Sequence, residues 1–171
     1  NKSRAKKIVQ KSNITTAEFF TTGPGEHTNK KAIPISFPLF IKPITGGDSR
    51  GIDKNSIVYN FTNYKKKVQE IKKNQHSRCL VEKYLSGKEY SVGIFKDNIT
   101  GFIEAMPIEI IVKKNINGHH ILDFNIKKKD EEKVVAVLDK KIFNKLSVLA
   151  KKSFIALSGK SFGRIDFKMD H

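Results

Sequence analysis

Apolar positions recur along this chain in two rhythms, and the changes of rhythm mark its elements. Ala5, Ile8 and Val9 fall at helical spacing within residues 1 to 12, with Asn1 or Ser3 able to cap a short helix. Residues 13 to 36 are rich in Thr, Gly and Pro around Gly23-Pro24-Gly25 and predict a loop with room for one strand. The apolar run Phe37 to Ile41 predicts a strand ending at Lys42-Pro43, and Ser56 to Tyr59 predicts another. Asn60 can then cap a helix whose apolar positions are Tyr64, Val68 and Ile71. After the short apolar strand Cys79-Leu80-Val81, Tyr90, Val92 and Ile94 alternate with Glu89, Ser91 and Gly93. One face of that strand is therefore buried, and the other can meet solvent or ligand.

Asp97-Asn98 and Asn115 to Gly118 read as turns between further strands, Ile99 to Met106, Ile108 to Val112 and His120 to Ile126. Such close connections favour an antiparallel sheet. Segment 130 to 158 carries Val134, Leu138, Ile142, Leu146, Leu149 and Phe154 and predicts one amphipathic helix with Gly159 as its C-cap, followed by a last strand from Phe162 to Met169. The 171 residues, 38% of them apolar, suit one domain or two small lobes with a real core.

The formal charge of +16 raises the reading of a basic nucleic-acid-binding domain, but the cations are 29 Lys and only 4 Arg. Base-edge and bidentate phosphate recognition favour arginine, so scattered lysines argue against it. Lysine clusters such as 65 to 67, 72 to 73 and 151 to 152 are expected to be solvated faces. No apolar run reaches the roughly 20 residues a membrane span needs, and the lysine-rich start lacks the pattern of a signal peptide. The lone Cys79 excludes an internal disulfide and suits a reducing compartment, as an interior strand residue or, alternatively, a reactive thiol. The histidines show no metal-ligand spacing.

The chemistry concentrates in two blocks. In the first, a strand delivers Lys42 to the lip of Ile44-Thr45-Gly46-Gly47-Asp48-Ser49-Arg50-Gly51. Glycines let backbone N–H groups approach an anion, and the lysine adds a point charge, which is a site for a polyphosphate. The lysine precedes the glycines, so this is not a P-loop. In the second block, Leu80 to Gly93, a strand-connector-strand can hold a purine flat while Glu82 and backbone groups of the connector face its amino edge; Glu89 could accept from ribose hydroxyls.

On Asn1-Lys2 with Lys6, Phe40 to Pro43 with Gly46 to Ile52, Glu82 to Gly93, and Gly163-Arg164-Ile165-Asp166, the chain resembles the ATP-grasp superfamily and, within it, the D-alanine–D-alanine ligase branch. The resemblance implies an α+β fold of two lobes, each with an antiparallel sheet, gripping ATP between them. It divides the chain into a smaller lobe, 1–79, and a larger one, 80–171. It implies Lys2 and Lys42 on the nucleotide phosphates, with Gly46, Gly47, Asp48 and Ser49 in the loop that closes over them, and Glu82, Lys83, Tyr84, Leu85 and Glu89 around adenine and ribose. Lys127, with Lys128 as rival, would reach the terminal phosphate. Asp166 would ligate Mg²⁺, or Mn²⁺, and Arg164 would face the reacting carboxylate or acyl phosphate.

The implied activity is an ATP-dependent ligase in the cytoplasm that joins a carboxylate to an amine through an acyl phosphate; its partners are ATP and small substrates, amino acids among them, with no nucleic acid or membrane. The alternative is a noncatalytic nucleotide-binding domain on the same scaffold. The family pattern continues to a Glu and an Asn that complete the metal site, and it begins with a substrate domain. Neither lies within these residues, so the chain alone is expected to turn over little. Asp48 stands where serine is frequent in that branch, which leaves the amino-acid specificity open.

Overall fold

A computed structural model describes residues 1–113 and 131–170. The expected turn at 115–118, the strand at 120–126, and Lys127 and Lys128 lie outside those residues. A helix, α1 (Lys2–Lys11), opens the chain as its apolar spacing predicts. The rest forms two compact units, one built mainly on residues 17–84 and the other on residues 85–112 with the segment from Glu132 onward.

The first unit is an antiparallel sheet of β1 (Phe19–Thr22), β2 (Leu39–Pro43), β3 (Ile57–Val58) and β4 (Cys79–Lys83), in the order β1-β4-β2-β3. Helix α2 (Phe61–Gln75) covers one face. Its N-cap is the expected one, because the Asn60 side chain accepts the Asn63 N–H at 2.9 Å. Tyr64, Val68 and Ile71 bury against Leu39, Ile41, Val58, Cys79 and Val81.

Strand alternation then assigns the other face. Ile41 lies opposite Val81, and Phe40 opposite Glu82. With the odd-numbered residues of both strands turned to α2, Phe40, Lys42, Leu80 and Glu82 share the face turned away from it. The expected division between residues 79 and 80 falls inside β4, whose pairing with β1 and β2 carries the first sheet on to Lys83.

The second unit is an antiparallel sheet in the order β7-β6-β5-β8, made from β5 (Glu89–Lys96), β6 (Ile103–Ile111), β7 (Lys133–Ala136) and β8 (Phe162–Lys168). Tyr90, Val92 and Ile94 bury against Leu146, Ala150 and Phe154 of α3 (Lys140–Ala156), as the alternation predicts. Four expectations for this unit are corrected by the structure. Residues 99 to 102 are not strand: Asp97 caps a turn there by accepting the Ile99 N–H at 2.7 Å, and Gly101 takes a φ of +74°. The two strands expected on either side of Pro107 are one strand, β6, with Pro107 just past the last β6–β7 pair, where a missing N–H breaks no bond to β7.

Segment 130 to 158 is not one helix either. Val134 and Val135 lie in β7, paired with Ile110 and Glu109, and the helix starts only after Asp139, whose carboxylate accepts the N–H groups of Lys141 and Ile142. β-branched residues favour the strand, and the cap residue resets the rhythm. At the other end, the left-handed residue is Ser158, with φ 58°, rather than Gly159. Gly159 is glycine for a packing reason: a Cβ there would sit 2.3 Å from the Phe154 ring. Among the described residues, no helix is long and apolar enough to cross a membrane.

Candidate functional site

In the first unit, β2 and β4 set Lys42 and Glu82 side by side on the face away from α2. Lys42 Nζ lies 2.5 Å from Glu82 Oε2 and 5.5 Å from the centre of the Phe40 ring. Both side chains are mostly covered, so the pair works in a reduced dielectric where each charge holds the other in place. Lys2, from the start of α1, joins this cluster. Its ammonium donates to the carbonyls of Pro43, Thr45 and Gly46 at 2.9–3.1 Å, which fixes the chain where it leaves β2. Burial, and then the charge of Lys42, pull the Lys2 pKa below the usual lysine range, while Glu82 partly offsets them. A lysine so placed has a strong electrostatic reason to accept an anionic neighbour.

The loop after Pro43 has the backbone that glycine and small polar residues permit. Gly46, Asp48, Ser49 and Gly51 all have φ between 52° and 84°. Gly46, Gly47 and Asp48 are exposed, and nothing lies within 4 Å of where a Cβ would stand on Gly46 or Gly47. Gly51 differs, because a Cβ there would meet Pro43 at 2.6 Å, so the two ends of the loop close on each other only with glycine at 51. On the connector after β4, the N–H of Lys83 donates to Glu18 and that of Tyr84 to Pro38, which ties the connector to the same sheet. Leu85 belongs to the other unit, where it is half-buried.

In the second unit, Asp166 stands on β8 opposite Ser91 of β5. Ser91 Oγ donates to Asp166 Oδ1 at 2.8 Å, and Arg164 Nε reaches the same oxygen at 3.1 Å. Both bonds fall on Oδ1. Glu89, one step along the same face, pairs with Lys168 at 3.3 Å. The structure thus brings together Lys2, Lys42, Glu82 and the glycine loop in one unit, and Arg164, Asp166 and Glu89 in the other. Among the described residues no three His, Cys, Asp or Glu side chains cluster as a metal site.

Three contributors escaped the sequence reading. The alternation of β5 puts Ser91 on the face open to solvent or ligand, yet it is buried and orients Asp166. Lys168, which pairs with Glu89, carries no signal in the alternation of its strand. Lys67, grouped with solvated lysines, is 2% exposed and pairs with Asp53 and Glu70. Its signal was present: Lys67 falls on the stripe of Tyr64, Val68 and Ile71.

The model of the family described as D-ala D-ala ligase C-terminus matches residues 8–171. The D-alanine–D-alanine ligase of Aquifex aeolicus is 30% identical over 172 residues, covering 99% of this chain and 53% of that protein. That of Rhizobium meliloti is 25% identical over 174 residues, covering 99% and 52%. The chain spans about half the length of the curated relatives it matches.

Among solved structures, the D-alanine–D-alanine ligase of Bacillus anthracis complexed with ATP superposes with a TM-score of 0.74 at 20% identity, over 99% of this chain and 50% of that one. The VanG D-Ala:D-Ser ligase of Enterococcus faecalis gives 0.76 at 20%, over 99% and 48%. These likenesses establish the ATP-grasp fold, α+β with two antiparallel sheets. By the match over residues 8–171, the chain belongs to the D-ala D-ala ligase C-terminus family.

Proposed function

We propose that this chain is the ATP-binding core of an ATP-dependent ligase that joins the carboxylate of one amino acid to the amine of another through an acyl phosphate, with D-alanine the first candidate for both. The observation that carries the reading is the family match over residues 8–171. The geometry supports it at the residues expected to do the work. Attack of a carboxylate on a terminal phosphate brings anions together, and cations must neutralise that charge in place. Lys42, held beside Glu82, and Lys2, with its lowered pKa, suit the phosphates. The exposed Gly46, Gly47 and Asp48, with the half-buried Ser49, suit a lid that keeps water from the acyl phosphate. Lys127 keeps its expected role at the terminal phosphate by resemblance alone.

Glu82 with Lys83, Tyr84 and Leu85 would take adenine, and Glu89 the ribose. Arg164 gives its Nε–H to Asp166, and a guanidinium has four further N–H donors to orient the substrate carboxylate and to meet the oxyanion formed when the amine attacks. A carboxylate oxygen suits Mg²⁺ or Mn²⁺, ions that take one or two protein carboxylates beside phosphate oxygens, so the exposed Asp166, held at Oδ1 by Ser91 and Arg164, fits as one such ligand. When bound, the ion supplies charge neutralisation on the phosphates. The reading needs neither nucleic acid nor membrane, and a soluble, ATP-using role with a thiol at Cys79 suits the cytoplasm.

ADP release by the full-length protein tests the proposal. With Mg²⁺, ATP and D-alanine, release above the ATP-only rate is expected, and substitution of D-serine or L-amino acids will define the pair joined. No stimulation by any amino acid would overturn the ligase reading.

A further inference from the structure

Lys67 is a lysine buried on the core-facing stripe of α2, with its ammonium 2.9 Å from Asp53 Oδ1 and 2.9 Å from Glu70 Oε1. A buried ammonium is costly unless partnered, so the position demands its carboxylates. Glu70 comes from the same helix, one turn away, and would be present wherever the loop lies. Asp53 does not. It is the residue at which the glycine loop of residues 44–52 rejoins the fold.

Asp53 also organises the chain that follows it. Its carboxylate accepts the Asn55 N–H at 2.8 Å, and its own N–H donates to the hydroxyl of the buried Ser56 at 3.0 Å. Ser56 in turn receives the Ile41 N–H on its carbonyl at 2.8 Å, which ties this turn to β2, the strand that carries Lys42. The entry of the loop is held by Lys2 on the carbonyls of Pro43, Thr45 and Gly46. The exit is held by Lys67 through Asp53. Any opening that draws Asp53 away leaves a buried cation with one partner instead of two.

We infer that Lys67 is a positioning residue that clamps the exit of the glycine loop through Asp53 and so biases residues 44–52 toward the arrangement that receives nucleotide phosphates. This rests on the reading of that loop as a phosphate lid. Lys67 touches no phosphate itself; it acts through the loop's anchorage.

Tryptic cleavage after the exposed Arg50, followed by mass spectrometry on the full-length protein with and without MgATP, reads the loop directly. Lys67→Met keeps the length and buries no charge, so folding should survive it. Cleavage at Arg50 should then run about tenfold faster than in the unsubstituted protein, and the Kd for MgATP rise about tenfold, the equivalent of one lost charge-assisted bond. The melting temperature should hold. Asp53→Asn, which keeps the turn's acceptor but weakens the clamp, should shift cleavage the same way and serves if Lys67→Met fails to fold.

Cleavage at Arg50 equal to the unsubstituted rate in a folded variant would overturn the inference, even if MgATP still protects Arg50. Faster cleavage in the variants with no protection by MgATP in the unsubstituted protein would uphold the clamp and remove the nucleotide reading instead.

Discussion

At the scale of single residues, the candidate groups are charges held by fixed partners, covered at Lys42 and Glu82 and exposed at Arg164 and Asp166. Lys42 and Glu82 hold each other on a sheet face, Ser91 and Arg164 fix one oxygen of Asp166, and Lys2 braces three carbonyls. Cys79 is fully buried in the core of the first unit. Its thiol is pushed up to about 12 by desolvation, although Lys67 and Arg78 pull the other way. The ordinary value is 9.0, so the unfolded chain gives up this proton first as pH rises. The stability it contributes is complete below pH 9.0 and is lost as pH climbs toward about 12.

Urea midpoints should therefore fall between those limits, and Cys79→Ala should flatten the decline, leaving the smaller slope due to Tyr64, Tyr84 and Tyr90, which burial also raises. Equal slopes for both proteins would place the sensitivity elsewhere. The interior position of Cys79 was readable from its apolar neighbours. The burial of Lys67 was missed because residue type outweighed position: a lysine within a run of three reads as surface, while the helical stripe puts its Cα on the core side and its partners arrive from Asp53 and Glu70.

Among the elements, those with local signals were the legible ones. Asn60 caps α2 as expected because a cap is decided within four residues, and the alternation of β5 named its buried face correctly. The segment from Val134 to Phe154 misled because Val134 and Leu138 fit a helical period as well as a strand, and pairing with β6 decides between them. Pairing partners distant in sequence cannot be read from periodicity.

The end of α3 makes a prediction with different outcomes at adjacent residues. Gly159→Ala must push aside the Phe154 ring and should cost about 1–3 kcal/mol, as overpacking does. Ser158→Gly trades left-handed strain against chain entropy and should stay within about 0.5–1 kcal/mol of the unsubstituted protein. Denaturant unfolding of both variants checks this, and a Gly159→Ala protein as stable as the parent would contradict the packing account.

For the molecule as a whole, the α+β class and the ATP-grasp resemblance were legible because four motifs stand in family order, whereas each alone is weak. The order of lysine and glycines sets the loop of residues 44–52 apart from a P-loop, and the comparisons agree on the family. The net charge of +16 was the less informative quantity, since the candidate groups are a few lysines held against carboxylates and carbonyls rather than the overall excess.

The most direct measurement of the central claim is thermal unfolding of this chain with MgATP, beside Lys42→Ala. A ligand at about one hundred times its Kd adds about 2.7 kcal/mol to the folded state, which for a chain of this size raises Tm by about 5–10 °C. The account predicts that rise for the parent chain and none for Lys42→Ala. No rise for the parent, or an equal rise for both, would contradict it.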